Sequence, residues 1–367
     1  MRLTNGLLLI ASSLTLTSLD ARAQSAGVVY TLSNEVAGNA VLAFDRAPDG
    51  HLMPRAAYPT GGTGTGAGLG SQGAITLSND GHWLFAVNAG SNSVSVLEVV
   101  PGGLMLRDVE PSLGTMPTSV SQREGYVFVL NATAPTNVAG FALSNNGQLT
   151  PIPGALRALS AETTAPAQVS IGPGAQQVFV TERATNLIDL FPIQAGGALG
   201  APTFVPSLGM TPFGFEFGKQ GTLIVSEAFG GGVDASAVSS YKLGGLGVIN
   251  NVSPSVPTTE TAACWIAITR NGRYAYATNT GSGTVTGYRI NVASGALQIL
   301  NADGITADLG LGTNPLDEAL SIDSRYLYVI SPNTNEIATL RVRNDGSLEK
   351  LPSVFGLPSS ARGLAAR

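Results

Sequence analysis

Residues 266–279 read IAITRNGRYAYATN, and this stretch decides the fold. An apolar strand pattern runs into an Asn-Gly turn signal, and a second strand pattern follows and ends at Asn279. Residues 75–88, ITLSNDGHWLFAVN, repeat the same phrase and end at Asn88. Two copies of one strand–turn–strand pattern in a single chain indicate an internal repeat, which predicts further copies along the sequence.

Weaker copies of the phrase occur between and around the two clear ones. They end at Asn131, Glu182, Glu227 and Ser331, and a truncated first copy covers residues 28–34. Most copies close with a pair such as Asp-Gly or Asn-Gly, which supplies the positive φ angles of a tight hairpin. No window has the apolar spacing of a helix. Four strands per copy and seven copies predict an all-β fold, a seven-bladed β-propeller of four-stranded blades.

The two ends of the chain have separate roles in this prediction. The first copy lacks an innermost strand, and residues 360–365, SARGLA, match that missing strand, so we expect the C-terminal tail to close the ring. Residues 1–23 combine Arg2, an apolar core and the site Ala21-Arg22-Ala23, the pattern of a cleavable signal peptide. Residues 24–367 are then expected to form one propeller domain, exported to the periplasm or secreted as a monomer without a transmembrane anchor.

Composition excludes several classes of function. Only 12% of the 367 residues are charged, the net charge is −5 and there are three lysines, which argues against a nucleic-acid partner. Two histidines and one cysteine exclude a Cys/His zinc site, a disulfide framework and an iron–sulfur cluster. We therefore expect no metal and no cofactor, and a small molecule or an envelope ligand as the partner.

The segment around Tyr274–Asn279 resembles the YVTN propeller repeat. From Val28 to Ala365 the chain resembles the lactonase-type seven-bladed propellers, which include bacterial 6-phosphogluconolactonase and fungal carboxymuconate-lactonizing enzyme. This resemblance implies chemistry on a lactone ring. In the fourth copy the family pattern typically has Pro-Arg-His on the inner strand and Asn-Glu after the second strand. Here Glu182 matches, whereas Ala167 and Gln168 stand in place of the Arg and the His.

Candidate site residues lie where inner strands begin and second strands end, because both positions point to one end of a propeller channel. By the resemblance, Glu182 is the expected general base. By its position next to Glu182, Arg183 is a candidate cation for a developing oxyanion or a substrate carboxylate, with Arg362 as the alternative, and Glu227 is the next carboxylate in line. The expected substrate-binding residues are Gln168, Trp265, Asp317 and Arg362, and Glu318 belongs to the same set of polar positions. The alternative is a water-filled channel with paired charges.

Two functional hypotheses follow from these residues. The first is an exported lactonase-like enzyme, a lactone hydrolase or muconate cyclase-like protein, acting on a small carboxylated or sugar-derived lactone. The second is a non-catalytic envelope propeller that binds a ligand or protein over its channel face. The glycine-rich residues 61–70, GGTGTGAGLG, lack the spacing of a phosphate-binding loop. We expect them to form a flexible connection between the first two copies, with a substrate-covering loop as the alternative.

Overall fold

The computed structural model describes residues 25–367, which form seven antiparallel sheets arranged as the blades of a propeller. Within each sheet, strands that are consecutive in sequence pair as neighbours, as expected for repeated hairpins. No α-helix occurs in residues 25–367, and none of their helical segments is long and apolar enough to cross a bilayer. The predicted seven-bladed β-propeller is confirmed. The predicted signal peptide, residues 1–23, lies outside the described residues.

The strands are numbered in chain order. Blades 1 and 2 contain β1 (Gly27–Leu32), β2 (Ala40–Arg46), β3 (Leu52–Pro59), β4 (Ile75–Leu77), β5 (Trp83–Asn88), β6 (Ser93–Val100) and β7 (Gly103–Pro111). Blades 3 and 4 contain β8 (Thr115–Arg123), β9 (Tyr126–Thr133), β10 (Asn137–Leu143), β11 (Leu149–Pro151), β12 (Arg157–Ala158), β13 (Pro166–Ile171), β14 (Gln177–Glu182), β15 (Leu187–Pro192) and β16 (Thr203–Pro206).

The remaining blades follow the same plan. Blades 5 to 7 contain β17 (Pro212–Phe217), β18 (Thr222–Glu227), β19 (Ala237–Leu243), β20 (Ile249–Pro257), β21 (Ala263–Ile268), β22 (Tyr274–Asn279), β23 (Thr284–Ile290), β24 (Leu297–Ile299), β25 (Ala307–Asp308), β26 (Glu318–Leu320), β27 (Tyr326–Ser331), β28 (Glu336–Val342) and β29 (Leu348–Phe355), and β30 (Arg362–Ala366) returns to blade 1. Single 3₁₀ turns cover Pro173–Ala175, Ala195–Gly197, Lys219–Gly221, Phe229–Gly231 and Pro332–Thr334.

The C-terminal strand closes the ring. β30 is the innermost strand of blade 1 and pairs antiparallel with β1, with Ala365 opposite Tyr30. The hydroxyl of Thr31 also donates to the carbonyl of Gly363 at 2.6 Å. The strand begins two residues later than the sequence suggested, because the Ala361 amide bonds back to Pro358 at 2.9 Å in a turn. The prediction that the tail completes the first blade is confirmed.

Each blade has two ends, and these define the two faces of the molecule. At the upper face the second strands end, and the connectors between blades arrive at the inner strands. At the lower face lie the turns from first to second strand and from third to fourth strand. The hydrophobic core lies between neighbouring blades, as where Phe128 and Leu130 of blade 3 pack with Val178 and Val180 of blade 4. Blades therefore stabilise one another mainly by face-to-face apolar packing.

Glycines in the lower-face hairpins are required by two separate constraints. Gly50 and Gly346 have φ angles of 97° and 91°, a region that side chains with a Cβ rarely adopt. A Cβ atom at Gly50 would also collide with the ring of Tyr326, and one at Gly346 with the ring of Tyr274. Both rings belong to a neighbouring blade, so the hairpin glycine of one blade packs directly against an aromatic ring of the adjacent one.

Candidate active site in the central channel

A cavity of about 340 Å³ occupies the centre of the ring, between the inner strands. Its amide and carboxyl side chains are Gln72, Gln168, Glu216, Asp317 and Glu318, and hydroxyl groups of Thr76, Ser121 and Ser170 also line it. No lysine, arginine or histidine of the described residues lines it. A volume of this size suits a small molecule, since ligand sites in proteins begin at roughly 300 Å³. The channel is therefore a small, acidic chamber.

The glycine-rich connector between blades 1 and 2 closes the upper end of this chamber. The Gln72 side chain accepts from the Ile266 amide at 3.1 Å and donates to the Ile266 carbonyl at 2.9 Å, across the channel in blade 6. The Gln72 backbone amide donates to Ala167 of blade 4 at 3.0 Å. These bonds hold the segment across the channel, so the structure agrees with the covering loop and not with the flexible connection that we expected.

Two residues that we predicted to bind substrate form hydrogen bonds within the protein. One of them bonds to the connector over the channel, and the other bonds to a neighbouring blade. Trp265 is buried, and its indole Nε1 donates to the carbonyl of Ser71 at 3.0 Å, beneath the connector. The Gln168 amide is bonded to Phe215 at both ends, because its nitrogen donates to the Phe215 carbonyl at 2.9 Å and its oxygen accepts from the Phe215 amide at 2.7 Å. Gln168 still lines the chamber, whereas Trp265 does not.

Arg183 and Arg362 lie beside the covering connector. The Arg183 guanidinium lies against Gly70, 5.0 Å from the centre of the Phe213 ring, and its Nε donates to the Ala165 carbonyl at 3.0 Å. The Arg362 guanidinium lies against Gly68. Burial lowers the pKa of both arginines. The connector thus runs between two cations above the chamber.

Glu182 occupies a different environment from the one we expected. The sequence predicted that its strand would carry it to the channel mouth, but the side chain is 0% exposed. Its carboxylate accepts from the Ser160 amide at 2.9 Å and from the hydroxyls of Ser160 and Thr185. These bonds attach the connector that enters blade 4 to the end of β14. The buried position, and not the channel mouth, is where the structure places this carboxylate.

The same arrangement recurs at the end of other second strands. Glu227 is also buried, and it accepts from the Gly209 amide at 2.8 Å, from Ser255 at 2.7 Å and from the hydroxyl of Ser239. Asn88 likewise accepts from Thr60, in the connector that enters its blade, at 2.6 Å. The polar residue that ends each of these second strands therefore joins its blade, by hydrogen bonds, to the connector that enters the blade.

A second buried carboxyl group lies next to Glu182. Asp189, in the middle of β15, is 0% exposed, and neither of its oxygens has a hydrogen-bond partner apart from Glu182. Burial, with the adjacent Glu182 carboxylate, raises the pKa of Asp189 to about 9. The side chain is therefore protonated at neutral pH and donates its proton to Glu182. We did not predict this pair, although the lone acid in the apolar run LIDLF is a visible signal for it.

Asp317 and Glu318 are the carboxyl groups that the structure brings together in the chamber. Asp317 accepts from the Gly363 amide at 3.1 Å. Burial raises its pKa to about 7, although the amides of Gly363 and Gly73 and the charge of Arg362 act in the opposite direction. Glu318 is 5% exposed and neither carboxyl oxygen has a hydrogen-bond partner. Burial, reinforced by the neighbouring Asp317, raises the pKa of Glu318 well above its usual range.

Two adjacent acids with different protonation states can divide the work of acid–base catalysis. Near neutral pH, Asp317 exchanges its proton readily, whereas burial favours the neutral form of Glu318, which can donate a hydrogen bond. Glu216, which we did not predict, faces the same chamber, and burial raises its pKa too. Glu216 is half-buried and lies one residue before the end of β17, and a carboxyl group there has no sequence signature that separates it from a surface one.

Comparison with known proteins places this architecture in a family. The family model described as lactonase, 7-bladed β-propeller, matches residues 22–159 and 234–363, which is more than half of the chain. The unmatched segment between them contains Gln168, Glu182, Arg183 and Glu227. No curated protein sequence matches the chain.

Solved structures share the fold at low sequence identity. A periplasmic gluconolactonase of Pseudomonas aeruginosa is 20% identical, with a TM-score of 0.74 over 92% of this chain and 98% of its own. A candidate 6-phosphogluconolactonase of Bacteroides fragilis is 16% identical, with a TM-score of 0.71 over 95% of this chain and 99% of its own. The family match and the seven closed blades together lead to one conclusion: the chain belongs to the lactonase family of seven-bladed β-propellers.

Proposed function

We propose that the protein is an exported lactone hydrolase whose substrate is a small, uncharged, sugar-derived lactone bound in the central chamber. The observation that carries this proposal is the pair Asp317 and Glu318, two adjacent carboxyl groups of unequal pKa in one chamber. The acidic lining supports an uncharged substrate over a carboxylated one, because three carboxyl groups and no cation face the ligand.

The proposed reaction uses each acid in the state that its surroundings favour. Asp317 takes a proton from a water molecule as the water oxygen bonds to the lactone carbonyl carbon. Glu318, neutral, donates a hydrogen bond to the carbonyl oxygen as negative charge develops there. The intermediate then collapses, the ring C–O bond breaks, and the ring oxygen takes the proton from Asp317. The product is a hydroxy acid, and Asp317 returns to its ionised form.

Export supports the choice of substrate. The pattern of residues 1–23 predicts a signal peptide, and phosphorylated sugar lactones belong to the cytosol, so an unphosphorylated lactone is easier to reconcile with this location. The periplasmic gluconolactonase among the similar structures is compatible with this view. A carboxylated lactone, held by Arg183 and Arg362 above the connector, is the competing substrate class.

The test is a panel of uncharged and carboxylated lactones, with the purified mature protein and the Asp317→Asn variant. Removal of a general base typically lowers the rate about 10²–10⁴-fold, so Asp317→Asn should lower kcat by that factor. The rate of the wild type should rise with pH through an apparent pKa near 7, because only the ionised form of Asp317 accepts a proton. The variant should lose this rise.

The Glu182→Gln variant separates the two candidate bases. If Glu182 is the base, as the family pattern implies, this variant loses the rate and Asp317→Asn retains it. If the buried hydrogen bonds of Glu182 are structural, Glu182→Gln loses thermal stability and keeps the pH profile. The second outcome supports the proposal and the first overturns it.

A second candidate function is a non-catalytic envelope propeller that binds a ligand over its channel face. The observation that favours it is that Ala167 and Gln168 replace the family's Arg and His, while both the nitrogen and the oxygen of the Gln168 amide are bonded to Phe215. Absence of turnover across the whole lactone panel, with ligand-induced stabilisation of the folded protein, would select this function.

A further inference from the structure

A cleft of about 420 Å³ lies on the lower face, between blades 6 and 7, away from the chamber. Three arginines line it: Arg273, Arg325 and Arg343. Arg273 and Arg325 each stand directly before the tyrosine that begins a second strand, and Arg343 directly follows β28. Such a concentration of guanidinium groups is unusual in a chain of net charge −5.

Aromatic rings lie beside two of these three guanidiniums. Arg273 lies 5.9 Å from the centre of the Tyr274 ring, and Arg289 lies 5.8 Å from the same centre. Arg325 lies 5.8 Å from the centre of the Tyr326 ring. Contacts of this kind orient a cation without neutralising it, since the ring carries no net charge. Arg273 and Arg325 are therefore placed at the cleft with their charge retained, whereas Arg343 is held by an ion pair with Glu349.

Acidic groups near the cleft offset this charge only in part. Asp323 is the one carboxylate among its lining residues. Burial opposes its ionisation, but hydrogen bonds from the Ser321 hydroxyl at 2.6 Å and the Arg325 amide outweigh burial and lower its pKa. Glu349 pairs with Arg343 at 2.7 Å in an exposed ion pair, which is readily rearranged. Three cations and one anion thus line the cleft.

The propeller repeat supplies an internal comparison. An equivalent cleft of about 490 Å³ lies between blades 2 and 3. In strand register, His82, Gly125 and Ser144 occupy the positions of the three arginines. Its lining residues also include the acids Asp80 and Glu124. The fold therefore generates the shape of the cleft at both places, and the cluster of arginines is present between blades 6 and 7 and absent between blades 2 and 3.

We propose that the cleft between blades 6 and 7 binds a phosphate group carried by a small anionic molecule. The planar guanidinium fork donates two parallel hydrogen bonds to phosphate or carboxylate. A phosphate dianion offers at least three oxygens and therefore suits a cleft lined by three arginines better than a carboxylate does. The hydroxyl and amide groups of Ser324, Asn271 and Asn344 line the same cleft and add neutral partners.

The test is titration of the purified protein with inorganic phosphate at low ionic strength, followed by calorimetry. A lost hydrogen bond to a charged group corresponds to roughly 10- to 100-fold in affinity, so Arg273→Gln and Arg325→Gln should each weaken binding by that factor. The matched control is His82→Gln, the same change at the equivalent position of blades 2 and 3. Arg157→Gln, a cation of blade 3 outside the cleft, controls for the general loss of charge.

Further arms identify the source of the phosphate group. Binding of glycerol phosphate, without binding to phosphatidylglycerol vesicles, indicates a small free phosphoester, and vesicle binding that Arg273→Gln abolishes indicates a lipid headgroup. Either result supports a phosphate site. The proposal is overturned if phosphate does not bind at about 10 mM, or if the cleft variants lose no more affinity than the control variants.

Discussion

At the scale of single residues, the polar residues that end three of the second strands have a structural task. Asn88, Glu182 and Glu227 all turn their side chains into the joint between the blade and its incoming connector. A carboxylate suits this joint because it accepts several hydrogen bonds at once, but it is also costly to bury. In blade 4 the cost is reduced by Asp189, which remains protonated and donates to Glu182.

This pair predicts a pH dependence of stability. The pKa of Asp189 is about 9 in the folded protein, against an ordinary value of 3.8 in the unfolded chain. Between these values the folded state holds a proton that the unfolded state has released, so the free energy of unfolding falls as pH rises from about 4 to 9. Asp189→Asn keeps a donor for Glu182 without a titrating proton, and it should remove this part of the slope.

Thermal melts of both proteins at pH 5 and pH 9 measure the effect. The wild type should lose more stability than Asp189→Asn over this interval, by about 5 °C in Tm. Asp317→Asn is a useful comparison. In the wild type, titration of Asp317 also lowers the free energy of unfolding as pH rises, and its midpoint near pH 7 lies below that of Asp189. Parallel Tm curves for the wild type and Asp189→Asn would show that Asp189 is ionised in the folded protein.

At the scale of elements, the ring depends on one short strand, β30, and on one connector. β30 satisfies the inner edge of β1, which otherwise leaves a row of backbone donors and acceptors unpaired. The connector at residues 60–74 has many glycines, and two of them fit where other residues would not. A Cβ at Gly64 would collide with the Asn34 backbone, and one at Gly62 with the Asn88 side chain. The glycines of this connector are therefore explained in part by its close packing against the ends of blades 1 and 2.

Truncation after Leu357, which deletes β30, should destabilise the protein far more than loss of an ordinary tail. Each buried backbone group left without a partner costs about 1–3 kcal/mol, and several such losses are large against a typical stability of about 5–15 kcal/mol. Chemical denaturation of the truncated and intact chains measures the difference. A synthetic peptide of residues 358–367, added to the truncated chain, should restore part of the lost stability because it can pair with β1 in place of β30. Melting within a few degrees of the intact chain contradicts a closing role.

At the scale of the whole molecule, the expected export and monomeric state remain predictions. Protein recovered from the periplasm or medium should begin at Gln24. Signal peptidase recognises an A-x-A pattern such as Ala21-Arg22-Ala23 and cleaves after its last residue, Ala23. Ala23→Leu should block this cleavage and retain the leader. Light scattering of the processed protein should give the mass of one chain. An exported, soluble protein that still begins at Met1 would contradict the predicted cleavable signal peptide.

Repetition explains why the sequence by itself determined the architecture. Strand periodicity, turn glycines and a spacing of about fifty residues are local properties, and seven copies of one pattern leave few ways to bury their apolar faces. The closing strand was predictable for the same reason, because one copy lacked its first strand and the tail supplied it. Membership of the lactonase family rests on the same repeated features and on the family match.

Only the tertiary structure decided which polar residues face the channel. Side chains two residues apart on a strand share a face, but whether that face meets a connector, a neighbouring blade or the chamber depends on contacts between distant segments. Glu182 was therefore predicted at the channel mouth and lies in a buried joint, while Gln72, Glu216 and Asp189 were not predicted at all. The pKa values of Asp317 and Glu318 follow from burial by the assembled ring, and no local pattern in the sequence encodes that burial.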